Sequence, residues 1–307
     1  MRKSIYAGLA LLGTACLLTA QQPASAPVAS SPSTSGASAS TAQVHVDENV
    51  QYGEVHGQKL LLDVFEPAGN SAGPHPAVVL IHGGGWTSFD KSTMRGMGQV
   101  LARAGFVAFS VDYRLFQNSE NQWPAQLDDV QRAVRWVRAS APKYNVDRER
   151  IGAFGHSAGA QLAALLGMED TRDDSDPALA AYSSRVEAVV DVSGPADFTQ
   201  QHDAEGDAFL SSFLGAEYSK RPEVWRDASP LSHVSKTNAP FLIVHGTRDS
   251  NVPIAESEAL SERLRQAGVP VTLVKVDDGH TFQTPEARRR LAYETLEFFN
   301  RYLKTGK

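Results

Sequence analysis

The sequence predicts an α/β fold, a mostly parallel central sheet flanked by helices on both faces. Two observations carry this expectation. Short, continuously apolar runs such as Ala77-Val78-Val79-Leu80-Ile81 end at glycines, as strands buried on both faces do. These runs alternate with longer segments of helical periodicity, the order from which a sheet covered on both sides is built. The part expected to fold, residues 44–307, suits a single core, since such cores reach roughly 250–300 residues.

The first residues are expected to lie outside that fold. Met1-Arg2-Lys3 is a positive start and the apolar run over 5–20 follows it. The run is too short for a spanning helix of about 20 apolar residues and reads as a signal peptide over 1–26. Cleavage is expected after Ala20 or Ala26, which places the protein outside the cytoplasm, secreted or in a bacterial periplasm. Gly13-Thr14-Ala15-Cys16 resembles a bacterial lipobox, with Gly13 where leucine is usual, so lipid attachment at Cys16 stays open as the one route to a membrane. Cys16 is the single cysteine, and cleavage at either site leaves a mature chain without disulfides. Residues 27–43 are rich in Ala, Ser, Pro and Thr, have nothing large to bury, and read as a disordered linker. The net charge of -6 becomes more negative without Arg2 and Lys3, and the chain has no Lys/Arg run. That argues against nucleic acid or an anionic membrane as partner.

Within the folded part, residues 50–54 and 59–65 are expected as two opening antiparallel strands. Further strands are expected over 77–81, 107–111, 151–154, 186–192, 241–244 and 271–276. Leu127, Val130, Ala133, Val134 and Val137 recur at helical spacing and predict a helix over 126–139. Helices are also expected over 97–104, 158–166, 254–267 and 286–303. An insertion over about 198–235 breaks the rhythm, with Phe209, Leu210, Phe213, Leu214 and Trp225 as isolated apolar anchors. A connection of this length is either a lid or pocket wall, or a surface piece that only covers the sheet.

Three patterns carry chemistry. Gly155-His156-Ser157-Ala158-Gly159 sits between a predicted strand and a predicted helix, where a very tight turn would present the serine. The motif alone is weak, because glycine makes up about 7% of residues; its position lends it weight. His82-Gly83-Gly84-Gly85-Trp86 directly follows the strand ending at Ile81. Successive glycines leave backbone N–H groups unshielded, which suits charge developing on a carbonyl oxygen. Phosphate cradling would want a P-loop lysine and Ser/Thr, which are missing here.

The third pattern is order. Ser157 is followed by Asp249 and then His280, each just past a predicted strand, which is the chain order of the α/β-hydrolase triad. Parallel sheets gather their sites at those ends. Asp277 and Asp278 are nearer His280 in sequence, yet neighbours two or three positions along one loop are poorly placed to orient its imidazole. His82 and His156 are expected to brace the backbone, His245 to be structural, and His45, His56, His75, His202 and His233 to be solvated or loop residues.

The Gly155–Gly159 and His82–Trp86 motifs resemble those of hormone-sensitive-lipase-like carboxylesterases, as does Asp112-Tyr113-Arg114. Lys143-Tyr144-Asn145-Val146-Asp147, Phe213-Leu214-Gly215 and Ser229-Pro230-Leu231 look more like bacterial feruloyl and acetyl-xylan esterases, and kynurenine formamidases share the His-Gly-Gly-x-Trp form. The resemblance covers about residues 50–303. It implies an α/β-hydrolase fold, a serine carboxylesterase acting through an acyl-enzyme, and Gly83, Gly84 and Ala158 as oxyanion-hole donors. The expected substrate is a short-chain or plant-polysaccharide ester, acetyl first and feruloyl second, with Trp86 as a stacking wall. No metal or organic cofactor is expected, since no Cys/His cluster has zinc spacing. The rivals are an arylformamidase or amidase on the same triad and a non-catalytic binding module on a hydrolase scaffold.

Overall fold

The computed structural model describes residues 44–69, 73–171, 176–200 and 203–305. The predicted signal peptide, Cys16 and the linker lie outside the described residues. Among these, no helix is long and apolar enough to cross a membrane.

Eight strands form one sheet. β1 (His45–Val55) and β2 (Gln58–Glu66) are an antiparallel hairpin, and β2 pairs antiparallel with β4 (Val107–Val111). β3 (His75–Ile81), β4, β5 (Val146–His156), β6 (Ala188–Val192), β7 (Phe241–Gly246) and β8 (Val271–Val276) run parallel, in the order β1-β2-β4-β3-β5-β6-β7-β8. Alternation along the strands splits the interior into two layers. Ala77, Val79 and Ile81 of β3 face one cluster, while Val78 and Leu80 face the other.

The first layer is closed by α2 (Ala125–Ala139), α3 (Ala158–Leu166) and α6 (Ile254–Gln266); the second by α1 (Arg95–Arg103) and α7 (Pro285–Phe299). Capping sets the start of α7: the Thr284 hydroxyl accepts from Ala287 N, with Pro285 as the first helical residue. Strand and helix edges differ from the sequence expectation by a few residues, most at β1 and β5, whose largely polar first halves carry no apolar signal.

The insertion folds as α4 (Ala204–Leu214), α5 (Pro222–Ala228) and a 3₁₀ turn, Pro230–His233. Phe198, Leu210, Phe213, Leu214 and Trp225 are all buried in the first layer. The anchors that look scattered in the sequence therefore converge on one core. His233, expected to be solvated, is half-buried: it pairs with Glu169 and its Nε2 lies 2.9 Å from Asp227 O. Burial works against its charged form, but the Glu169 carboxylate outweighs that and raises its pKa.

Candidate active site

β5 runs straight into Ser157, whose backbone is left-handed (φ 56°, ψ -121°). Such geometry in a non-glycine residue costs on the order of 1–3 kcal/mol and persists where the surroundings enforce it. Here Ser157 N donates to Val192 O at 2.8 Å. A Cβ on Gly155 would lie 2.0 Å from Gly159 O, and one on Gly159 would lie 2.2 Å from Ile81 O. Both glycines of the motif are thus demanded by backbone contact.

The loops after β7 and β8 bring Asp249 and His280 together with that serine. His280 Nε2 lies 2.8 Å from Ser157 Oγ, and His280 Nδ1 lies 2.6 Å from Asp249 Oδ2. Asp249 Oδ1 accepts from the N–H groups of Asn251 and Val252 at 2.8 and 2.9 Å. Burial by itself would raise the Asp249 pKa, but hydrogen bonds from His245 and His280 prevail and hold the carboxyl well below the usual range. Asp278, the nearer acid in sequence, turns away. Its Oδ1 accepts from Gly279 N, and its Oδ2 from Thr284 N and Thr284 Oγ1, bonds that lower its pKa to about 2. It braces the loop ahead of α7.

His156 also reaches His280, through the backbone. Its Nε2–H donates to His280 O at 2.9 Å, and burial, then the neighbouring His280, lowers its pKa to about 4. It is a neutral donor at ordinary pH.

The glycine loop lies against the serine: a Cβ on Gly83 would sit 3.2 Å from Ser157 Cβ. Gly84 has φ +107°, and its carbonyl accepts from Thr87 N and Ser88 N at 3.1 Å each. The Tyr113 hydroxyl lies 3.1 and 3.2 Å from the carbonyls of His82 and Gly83, and its ring stacks on His82 at 4.2 Å. With these carbonyls engaged, the peptide planes are set. Among the described residues no hydrogen bond uses the N–H of Gly83 or Gly84, and Ala158, first residue of α3, has no partner for its N–H within the helix. Tyr113 was visible only as part of a family motif; its hold on the loop depends on β4 lying beside β3, which no local pattern encodes.

Ser157 and His280 open onto a cavity of about 960 Å³. Its apolar wall comes from Phe89, Met94, Met97 and Val100 on one side and Phe282 and Leu291 on the other. Among the described residues of the insertion none lines it; they cover the sheet instead. Trp86 needs the same correction: it is 1% exposed, stacks on Phe213 at 4.7 Å and donates from Nε1 to Gln161 Oε1 at 3.1 Å. It is a core residue and cannot stack on a substrate. The exposed aromatic at the cavity is Phe89, 61% exposed and left-handed at φ 70°. One group among the described residues, His45, Asp47 and Glu66, could gather on a metal ion, but it lies on β1 and β2 and none of it lines this cavity.

The sequence profile of the BD-FAE family matches residues 62–264. The chain is 33% identical over 223 residues to esterase LipC of Mycobacterium tuberculosis, covering 70% of this chain and 54% of that protein. It spans about half the length of the curated relatives it matches first. Among solved structures, a truncated carbohydrate esterase from gut microbiota superposes with a TM-score of 0.73 at 27% identity, covering 87% of this chain and 99% of that one. Butyrate-bound esterase 2 of Thermogutta terrifontis superposes with a TM-score of 0.72 at 26% identity, covering 85% and 94%.

Proposed function

The chain belongs to the BD-FAE family, and from that premise we propose that it is a serine carboxylesterase whose nucleophile is Ser157. The observation that carries this reading is the unbroken hydrogen-bonded line from Ser157 Oγ through His280 to Asp249 Oδ2, at 2.8 and 2.6 Å. His280 Nε2 takes the serine proton as Oγ attacks the ester carbonyl. Asp249 holds Nδ1–H in place and stabilises the imidazolium. The N–H groups of Gly83, Gly84 and Ala158 receive the oxyanion. Collapse expels the alcohol, which takes the proton from His280. Water then adds to the acyl-enzyme by the same route, releasing the carboxylic acid and restoring Ser157.

The substrates are short-chain acyl esters, acetyl or butyryl, with polysaccharide-borne acetyl or feruloyl groups as the natural form. Two likenesses support this: one structural neighbour is a carbohydrate esterase and another was solved with butyrate bound. The apolar walls of the cavity favour an acyl group over a charged ligand. The positive start and apolar run within residues 1–26 support an enzyme that acts outside the cytoplasm.

The test is covalent labelling with a fluorophosphonate, followed by kcat/KM across p-nitrophenyl esters from C2 to C16. Wild-type protein should be labelled, Ser157→Ala should not, and the series should peak at C2 to C4. Labelling that persists in Ser157→Ala refutes the nucleophile, and a maximum at C12 or beyond refutes the substrate class.

A further inference from the structure

We infer that His245 is a positioning residue of the triad, a second imidazole on the Asp249 carboxylate that holds it in the rotamer His280 needs. This inference rests on the triad reading above. His245 stands near the end of β7, four positions before Asp249, and is fully buried. Its Nε2 lies 3.0 Å from Val252 O and 3.2 Å from Asp249 Oδ2, and its Nδ1 lies 2.7 Å from Ser257 Oγ on α6. A carbonyl oxygen only accepts, so Nε2 carries the hydrogen. In a neutral imidazole Nδ1 is then the acceptor, and the Ser257 hydroxyl donates to it.

The Nε2–H that bonds Val252 O therefore also lies 3.2 Å from the same oxygen to which His280 Nδ1 donates. With Oδ1 taken by the N–H groups of Asn251 and Val252, the carboxylate is held by three hydrogen bonds and by the close approach of His245 Nε2. Rotation of the Asp249 side chain would break several of these at once. A core histidine kept for packing would need its bonds to Val252 and Ser257 but not the approach to Oδ2. The donation has a second effect. A carboxylate oxygen shared between two N–H groups pulls less strongly on either, so His245 moderates how tightly Asp249 stabilises the charged form of His280.

Two variants separate positioning from packing. Glutamine carries an amide nitrogen at the bond count of Nε2 and can still donate to Asp249; asparagine carries its amide at the bond count of Nδ1 and can bond Ser257 only. His245→Asn should lower kcat roughly tenfold, as expected when one hydrogen bond to a charged group is lost, with KM within about twofold. The acid limb of kcat/KM should move to higher pH, because an unshared Asp249 raises the basicity of His280. His245→Gln should restore most of both. The other titratable groups around the pair, His156, Asp191 and Glu256, are common to all these proteins, so a difference between Asn and Gln comes from the donor.

Equal kcat and equal acid limbs in the two variants, whether at wild-type level or equally reduced, overturn the inference. Should His245→Asn fail to fold, Ser257→Ala frees Nδ1 and should move the acid limb in the same direction by less; an unmoved limb there also overturns it. Turnover that survives Ser157→Ala sinks the triad reading itself. Loss of turnover in Ser157→Ala beside a wild-type His245→Asn sinks this inference alone.

Discussion

The indole N–H of Trp86 donates to Gln161 Oε1 at 3.1 Å, tying the glycine loop after β3 to the helix that follows Ser157. Gln161 Nε2 in turn donates to Ala228 O at 2.8 Å, which brings α5 of the insertion into the same buried contact. The loop, the nucleophile turn and the insertion are therefore one packed unit.

Trp86→Phe should keep most of the ring packing but leave Gln161 Oε1 without its donor. The expected loss is about 1–3 kcal/mol, the cost of an unsatisfied buried polar group. Trp86→Ala should lose about 3–5 kcal/mol. Urea unfolding would check both. A Trp86→Phe protein of wild-type stability that selectively loses aryl esters would contradict the burial of this side chain.

Asp249→Asn and Asp278→Asn, measured side by side, should part company. The first should lower kcat by about 10³–10⁴ through the wrong imidazole tautomer. The second should leave kcat within about twofold, since Asp278 bonds Gly279 and Thr284 and not His280. Its effect should appear in stability. The Asp278 pKa of about 2 lies below its ordinary value, so its contribution is present above that ordinary value and lost as pH falls toward 2. The wild-type melting temperature should drop more than that of Asp278→Asn across this interval.

His156→Gln should flatten the acid side of the stability curve. The unfolded chain protonates His156 near its ordinary value of 6.5, whereas the native state resists until about 4. Stability therefore falls as pH drops from 6.5 to 4, and the variant lacks this loss. Asp191 and Glu256, raised by burial to about 6, act in the opposite direction but equally in both proteins. Urea midpoints at about pH 7 and about pH 4.5 give the comparison. An equal drop in wild type and variant would exclude a His156 held neutral in the native state.

Gly96→Leu should narrow the acyl range without loss of stability. Gly96 lines the cavity, and a Cβ there would meet nothing within 4 Å. It lies in the first turn of α1, where replacing glycine by leucine gains up to about 1 kcal/mol in helix propensity. The ratio of kcat/KM for butyryl or feruloyl esters to that for acetyl esters should fall by roughly tenfold, the cost of about 1.4 kcal/mol of lost contact. An unchanged ratio would place the acyl group elsewhere.

What was legible in the sequence was local or periodic. The glycines around Ser157 and after Ile81 mark sharp turns because a Cβ there would strike the backbone, and such steric demands are written at single positions. The central strands were legible because burial on both faces leaves short, continuously apolar runs, and α2 because burial on one face repeats every 3.6 residues. The order Ser157, Asp249, His280, each just past a strand, followed from counting those strands.

The remainder depended on which elements lie side by side. Trp86 and Phe89 are both aromatics on one glycine-rich loop, and nothing in the string says that one is 1% and the other 61% exposed. That was decided by left-handed backbone turns at both positions and by Phe213 and Gln161 arriving from far along the chain to cover Trp86. The insertion's anchors looked isolated because their partners, such as Trp123 and Trp86, lie in other segments. The cavity wall on α1 and α7 was invisible for the same reason: Met97 and Leu291 have helical spacing whether they face a core or a substrate. Sequence alone determined the turns, the periodic faces and the chain order of the triad candidates. Tertiary structure decided which apolar groups were consumed by the core and which were left to form a pocket, because burial is a property of neighbours distant in the chain.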